Sequence, residues 1–372
     1  MVKNAKVAHI SSAHSPTDTR IFVKECRSIA EAGYRTVIIA PHGTNEVRDG
    51  VQIRAIGSVA DGRLARMTRV VYQVYQAAVR EDADLYHFHD PELIPVGLLL
   101  VLRGKKVVYD VHEDLPRQIL TKSWIPKRLR RVISMLAEVV ESGAARFFSG
   151  LVAVTSSIQD RFSRENTVLV QNFPVRQEVV SALPPMPERP RTVAYVGGIR
   201  SNRGVREMVE AAGVASDRCG AQLVLAGDFA YNETEKEVKQ MAGWESVDYH
   251  GWVERDQLES LFQNVRAGLV LFHPAPNHVT AQPNKLFEYM AAGLPVIASD
   301  FPRWREIVHG ENCGLVVDPL DPEAIAEAIE WVIDHPESAR GMGERGREAV
   351  LDKYNWETES ERLLSFYQDL LQ

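Results

Sequence analysis

Short runs of β-branched and aromatic residues alternate with helical patterns from one end of the chain to the other, and that alternation admits few folds. Strands separated by helices pair in parallel, so the pattern predicts βαβ units and a doubly wound α/β architecture. In the first half the strand-like runs are Val7 to Ile10, Thr36 to Ala40, Val51 to Ile56, Leu85 to Phe88, Lys106 to Tyr109, Leu151 to Val154 and Val168 to Val170. A second series follows at Val193 to Val196, Leu223 to Ala226, Asp248 to Gly251, Leu269 to Leu271, Val296 to Ser299 and Leu315 to Val317. Several runs are apolar on both faces, as buried parallel strands should be. Between the first two runs Ile21, Phe22, Cys26, Ile29 and Ala30 share a helical face, and Gly33 follows as the helix stop.

A chain of 372 residues has room for two such domains. The two series are separated by a polar, Pro-rich stretch from Asn172 to Pro190, in which Pro184, Pro185, Pro187 and Pro190 fall within seven residues. Neither a helix nor a central strand tolerates that density of proline, so the stretch reads as a linker, with domains at 1–184 and 185–372. The last fifty residues, from Pro322, read as helical. Their closing stripe of Trp356, Leu363, Leu364, Phe366, Tyr367, Leu370 and Leu371 must pack on something, and a return across the linker onto the N-terminal domain is the expectation.

Charge and cysteine usage narrow the class. Fifty acidic against 43 basic residues give −7, which removes the global positive field that draws proteins onto nucleic acid. Cys26, Cys219 and Cys313 are far apart and odd in number, which fits reduced thiols. The longest apolar run, Leu93 to Leu102, is interrupted by Pro95 and is half the ~20 residues a membrane span needs. Met1 to Lys6 lead straight into a strand with no signal-peptide pattern, so the cytoplasm is the expected location.

In open α/β sheets ligands bind beyond the carboxyl ends of the strands, so the residues that follow each strand carry the chemistry. After the first come Ser11 to Arg20, small and polar before a helix, with His14 and Arg20 as candidate sugar or anion contacts; an ordinary capped helix start is the alternative. The fourth runs into His87-Phe88-His89-Asp90, where the two histidines share a face, and the fifth into Asp110-Val111-His112-Glu113-Asp114. A zinc site at His87 and His89 lacks a second His or Cys pair at a known spacing, so no metal is expected. The two clusters together read as the lining of a cleft. In the second series Tyr195 to Val205 is a strand, the Gly197-Gly198 pair and a helix start, where Arg200 and Arg203 can neutralise phosphate. Residues 281–295 read as a helix with Pro283 near its start and Gly293 at its end, and Lys285 and Glu288 on one face; a surface ion pair is the alternative for those two.

The turn from Gly197 to Gly204, Leu225-Ala226-Gly227-Asp228, His250-Gly251-Trp252-Val253 and, above all, the block from Lys285 to Ser299 resemble the group 1, or family 4, glycosyltransferases of the GT-B fold. The resemblance covers nearly the whole chain, and His87 to Asp90 with Val111 to Asp114 is similar to a subset acting in bacterial surface-polysaccharide and other glycoconjugate assembly. It implies two facing Rossmann-like domains and metal-independent transfer with retention. The C-terminal domain would hold a nucleotide-sugar donor and the N-terminal one a glycan or lipid-linked acceptor, with no cofactor. Glu288 matches the second glutamate of the family's E-x7-E motif, which binds the donor ribose. His112 matches the histidine over the donor sugar, and Arg203 stands where the family has the lysine of its glycine-rich turn. Gly197, Gly198, Gly227, Asn284 and Thr280 complete the implied donor set, and His14, Arg20, His89, Asp90 and Glu113 the acceptor set. His112, Arg203 and Lys285 are the implied catalytic groups. Two positions depart from the pattern: Thr280 replaces the first glutamate and Gly198 an arginine, and Lys285 is the candidate replacement cation. Asp82-Ala83-Asp84 has the D-x-D form of metal-dependent transferases but precedes a strand, so it reads as a solvated turn.

The implied mechanism is front-face displacement from a nucleotide-diphosphate sugar, UDP-sugar before GDP-sugar, with water excluded by closure of the lobes. A nucleotide-sugar 2-epimerase and a degenerate, non-catalytic nucleotide-binding scaffold are the alternatives. Between Arg117 and Arg131 six basic residues occur with no acidic one, and Trp124, Ile125, Leu129 and Val132 are interleaved. That composition suits peripheral contact with the inner face of a membrane; a solvated helix start is the alternative.

Overall fold

Each of the thirteen strand-like runs contains a strand in the computed structural model, which describes residues 4–57, 66–122, 124–162, 165–178 and 183–372. The chain forms two compact units, Met1–Asn172 with Trp356–Gln372, and Phe173–Asn355. In the first, β1 (Lys6–Ile10), β2 (Arg35–Ala40), β3 (Glu46–Arg48), β4 (Val51–Ala55), β5 (Leu85–Phe88), β6 (Lys106–Val111), β7 (Gly150–Ala153) and β8 (Thr167–Leu169) form one sheet in the order β3-β4-β2-β1-β5-β6-β7-β8. All its pairings are parallel except β3 with β4. That pair is a hairpin closed by Asp49 and Gly50, both at positive φ, as a two-residue turn requires. Exposed at all three residues, β3 has no buried apolar face, and its one sequence signal is the Asp49-Gly50 pair that closes the hairpin.

In the second unit β9 (Thr192–Val196), β10 (Gln222–Ala226), β11 (Val247–Gly251), β12 (Ala267–Val270), β13 (Val296–Ser299) and β14 (Gly314–Val317) form a parallel sheet ordered β11-β10-β9-β12-β13-β14. In each sheet the chain winds one way from its first strand and then crosses to the other side. The crevices at these switch points, between β1 and β5 and between β9 and β12, are where such sheets take ligands.

Five helices matter for the sites. The first, α1, opens as a π-helix at Thr19–Cys26 and continues as an α-helix over Arg27–Glu31; the Asp18 carboxylate accepts from Arg20 N and Ile21 N at its start. The others are α2 (Lys127–Ala145), α3 (Val205–Cys219), α4 (Asn284–Ala291) and α5 (Trp356–Leu371). The division between units falls at Asn172/Phe173 rather than at 184/185. Phe173 is buried in the second core, edge-on to Phe287 and Tyr354, with centroids 4.8 and 5.3 Å away. From Phe173 on, the described part of the Pro-rich stretch lies inside that unit: Met186 is fully buried and Arg189 donates to Pro184 O and Val265 O. Ala182 lies outside the described residues. Helix α5 packs in the first unit, where Trp356 Nε1 donates to Ser28 Oγ at 2.9 Å and the Phe366 ring fills the space a side chain at Gly150 would need.

Candidate functional site

Beyond β9 the backbone turns through Gly197 (φ 118°) and Gly198, and beyond β10 through Gly227 (φ 136°). A Cβ on Gly227 would lie 2.3 Å from Gly197 O, so only glycine lets these strand ends meet. Lys285, in the first turn of α4, extends to this turn: a Cβ on Gly197 would fall 2.5 Å from its Nζ. The ammonium also lies 5.3 Å from the Tyr195 ring centroid. Arg203 approaches from the other side, donating through Nη1 to Gly198 O at 3.2 Å with its guanidinium over Phe272. That head group lies only 3.6 Å from where a Cβ on Gly198 would be, so it occupies the space beside that glycine. Among the described residues neither cation has a carboxylate within ion-pairing distance. Burial, and after it the charge of Arg203, push the Lys285 ammonium down to about 8, against a smaller upward pull from Glu288. Asn284 and Glu288 are exposed on α4, and Thr280 ends the short helical turn Pro276–Val279 ahead of it.

At the other switch point the first turn after β1 closes on Asp90, two residues beyond β5. Asp90 accepts from Ser12 N and Ser11 Oγ, both at 2.7 Å, and its other oxygen lies 3.2 Å from His14 Nδ1. Burial pushes the Asp90 carboxyl up, but the His14 contact and the Ser11 and Ser12 donors outweigh it and hold the group below the usual carboxylate range. The same bond raises His14.

Beneath this rim lies a buried polar cluster. Arg20 forks onto Asp110, with Nη2 3.0 Å from Oδ2 and 3.2 Å from Oδ1, while its Nε is 3.0 Å from Glu25 Oε1. Asp110 Oδ2 lies 3.2 Å from His112 Nε2, which is 2.8 Å from His89 Nδ1. His89 Nε2 in turn is 2.9 Å from His9 Nδ1, and His87 Nδ1 is 2.5 Å from the Tyr367 hydroxyl. Burial lowers His9 and His87 well below the ordinary histidine value and brings His89 to about 4, so all three rings are neutral at pH 7. Burial raises Asp110, but Arg20 and His112 more than reverse that and keep it ionised; burial, then the charge of Asp110, push Glu25 up.

The structure therefore divides the expected acceptor set. His14, Asp90 and the half-buried His112 line the rim, whereas Glu113 is exposed and paired with Gln118. Arg20 and His89 are buried; Arg20 Nε and Nη2 are engaged by Asp110, Glu25 and Val170 O, and both His89 nitrogens by neighbouring histidines, so these two residues brace the rim from beneath. In the donor set Gly197, Gly198, Arg203, Gly227 and Lys285 converge, Asn284 and Glu288 share a helix with Lys285, and Thr280 offers a hydroxyl where the family pattern has a charge. Asp82 and Asp84 are at the opposite edge of the first sheet, bound to Lys105 Nζ and to the backbone N–H of Lys6. His9 and Glu25 went unnoticed in the sequence. The signal available for Glu25 was that Arg20, Lys24 and Glu25 interrupt the apolar face of α1.

Residues 179–349 match the family described as glycosyl transferases group 1, and residues 20–172 the one described as glycosyltransferase family 4. An uncharacterised glycosyltransferase of Methanocaldococcus jannaschii is 25% identical over 179 residues, 48% of this chain and 45% of that protein, so the match spans about half of this curated relative. Among solved structures, sucrose-phosphate synthase from Thermosynechococcus elongatus superposes with a TM-score of 0.76 at 19% identity, covering 98% of this chain and 99% of that one. Anabaena HepE in complex with UDP-glucose does so with 0.75 at 14% identity, covering 98% and 100%. With one family match falling on each unit and the glycine turn at the switch point of the second sheet, the chain belongs to the group 1 (family 4) glycosyltransferases of the GT-B fold.

Proposed function

We propose that the chain moves a sugar from a nucleotide-diphosphate sugar, a UDP-sugar in preference to a GDP-sugar, to a hydroxyl of a glycan or lipid-linked acceptor, with retention and with no metal ion in the transfer step. The observation that carries this reading is the pair of cations, Arg203 and Lys285, gathered at one glycine turn with no carboxylate in ion-pairing distance among the described residues. Preorganised positive charge beside a diphosphate stabilises the negative charge that develops as the sugar leaves. The bond from the anomeric carbon to the phosphate oxygen breaks, the acceptor oxygen bonds from the same face, and the acceptor proton passes to the departing phosphate oxygen. Glu288 is the group we assign to the ribose hydroxyls, and His112, held by Asp110 and His89, to the donor sugar. UDP-sugars come first in the panel because HepE, alike in fold, was solved with one.

Incubation with a panel of UDP- and GDP-sugars and acceptor glycans, followed by mass spectrometry and NMR of the anomeric proton, is expected to yield a glycoside with the donor's configuration. An altered free nucleotide sugar without acceptor would identify an epimerase, and nucleotide-induced thermal stabilisation with no turnover would identify a scaffold.

Lys285 also sets a pH dependence. Its ammonium must be protonated to meet the diphosphate, so kcat/KM for the donor is expected to fall as pH rises through about 8. Stability should move the opposite way. The folded-state value lies below that of the unfolded chain, so between about 8 and the ordinary lysine value the unfolded state binds more protons and the fold gains stability as pH rises. Kinetics and thermal melts over that window check both signs; a flat kinetic profile in wild type and Lys285→Arg alike would exclude the role.

The acceptor side rests on α2. Its inward face is Ser134, Glu141, Ala144 and Ala145, small or polar, while Leu129, Val132, Ile133, Met135, Leu136, Val139 and Val140 face outward, Val139 at 64% exposure. Lys127, Arg128 and Arg131 are exposed on the same helix; Ile125, interleaved with them in sequence, is buried and contributes nothing. An outward apolar row headed by cations suits the surface of anionic lipid. Among the described residues no helix is long and apolar enough to cross a membrane, so we propose a peripheral association on the cytoplasmic face. Flotation with phosphatidylglycerol vesicles should show binding that weakens with salt and that Leu136→Glu with Val140→Glu abolishes, each such side chain being worth about 1.5–3 kcal/mol when fully buried. Concentration-dependent dimerisation lost in that double variant, with no vesicle binding, would assign the face to a second copy instead.

A further inference from the structure

We infer that His9, Glu25, His87 and His89 form a structural binding site for one divalent transition-metal ion, with Zn2+ the best match, in the core of the first unit. One ligand atom from each of the four lies within 4.8 Å of every other. His9 Nδ1 is 3.6 Å and His89 Nε2 3.8 Å from Glu25 Oε2, and the two nitrogens are 2.9 Å apart. The carboxylate separations are too long for hydrogen bonds, yet they suit donors around a common ion, because ligands at about 2.0–2.2 Å in a tetrahedron stand a little over 3 Å apart. Glu25 Oε2 and His87 Nε2 are buried and make no hydrogen bond, the condition a missing cation would leave, while Glu25 Oε1 is ion-paired with Arg20.

The opposite end of each ligand is braced. His87 Nδ1 meets the Tyr367 hydroxyl at 2.5 Å and His9 Nε2 approaches the same hydroxyl at 3.4 Å; His89 Nδ1 is 2.8 Å from His112 Nε2; Arg20 Nε is 3.0 Å from Glu25 Oε1. Metal-binding histidines characteristically have such partners on the nitrogen that does not bind, which fixes tautomer and ring orientation. Three imidazoles and one carboxylate, with no sulfur, favour a borderline ion of the zinc type over calcium or magnesium. The ion would tie β1, β5 and α1 together and, through Tyr367, anchor α5. It takes no step in sugar transfer, so it is compatible with the cationic donor site of the second unit. The expectation of a metal-free chain looked for a second His or Cys pair close in sequence; His9 and Glu25 are brought in by the fold instead.

The test uses full-length, untagged protein stripped with chelator, dialysed and titrated with Co2+. Wild type should take up one equivalent with the intense visible bands of a four-coordinate ion, Zn2+ should bleach them stoichiometrically, and either ion should raise Tm. Glu25→Gln and His87→Gln should lose the bands, Tyr367→Phe should weaken binding about 10–100-fold, and His250→Ala, an exposed control, should change nothing. If wild type shows no four-coordinate spectrum and holds no zinc after loading and desalting, or if Glu25→Gln and His87→Gln bind like wild type, the site does not exist. Should the variants not fold, zinc retained by wild type at one equivalent supports the site, and its absence overturns it.

Discussion

Lys285→Ala is expected to lower kcat/KM for the donor by about 10²–10³, and Arg203→Ala by a similar factor, since each removes one preorganised charge from a partly dry site. The geometry adds two finer expectations. Lys285→Arg should not restore activity, because the Nζ lies so close to Gly197 that a forked guanidinium has no room there. Gly197→Ala should impair donor use although neither cationic residue is replaced, because the Lys285 ammonium must move. Its Cβ would collide with Nζ, and φ 118° is strained for any side chain. Because leaving-group charge grows along the reaction coordinate, the losses should appear in kcat as well as KM. Steady-state kinetics at saturating and subsaturating donor decide it: wild-type rates in both alanine variants would remove the two residues from the mechanism.

The glycine turn at Gly197 was legible in the sequence because its determinants are local. A strand, two glycines, a cation and a helix start lie within eleven residues, and Lys285 sits at the start of a helix whose proline and glycine mark both ends. Strand positions were legible for a related reason: a strand covered on both faces must be apolar throughout, so Leu85 to Phe88 or Val296 to Ser299 announce themselves. What could not be read are features decided by tertiary packing. His9 is a single histidine in an apolar run, and nothing nearby in sequence says that residues some eighty positions on will meet it. The passage between units was misplaced because proline density marks extended chain, not which core that chain lies against; Phe173 and Met186 decide that. The orientation of α2 is the sharpest case. A stripe of Leu, Val, Ile and Met at helical spacing ordinarily faces the core, and here the interior accepts Ser134, Ala144 and Ala145 while the stripe is turned outward.

Arg20→Met is expected to destabilise the protein by about 3–5 kcal/mol, the loss typical when one partner of a buried ion pair is removed and the other charge is left behind. The guanidinium is the shared cation of Asp110 and Glu25 and also donates to Val170 O at the end of the first sheet, so no solvent can replace it. Arg20→Lys should recover little, since a point charge cannot span two carboxylates as the planar fork does. Arg20→Met with Asp110→Asn should recover a substantial part, because it removes the stranded charge with its partner; that non-additivity separates an uncompensated charge from simple loss of packing. Chemical denaturation of the three variants and Asp110→Asn alone makes the comparison, and a drop in Tm on the order of 10 °C should accompany the single Arg20→Met change. The recovered double variant is informative in its own right. Asp110 is also the carboxylate beside His112, so restored stability should come with slow transfer and nearly unchanged donor affinity, whereas full activity would show that His112 needs no such support.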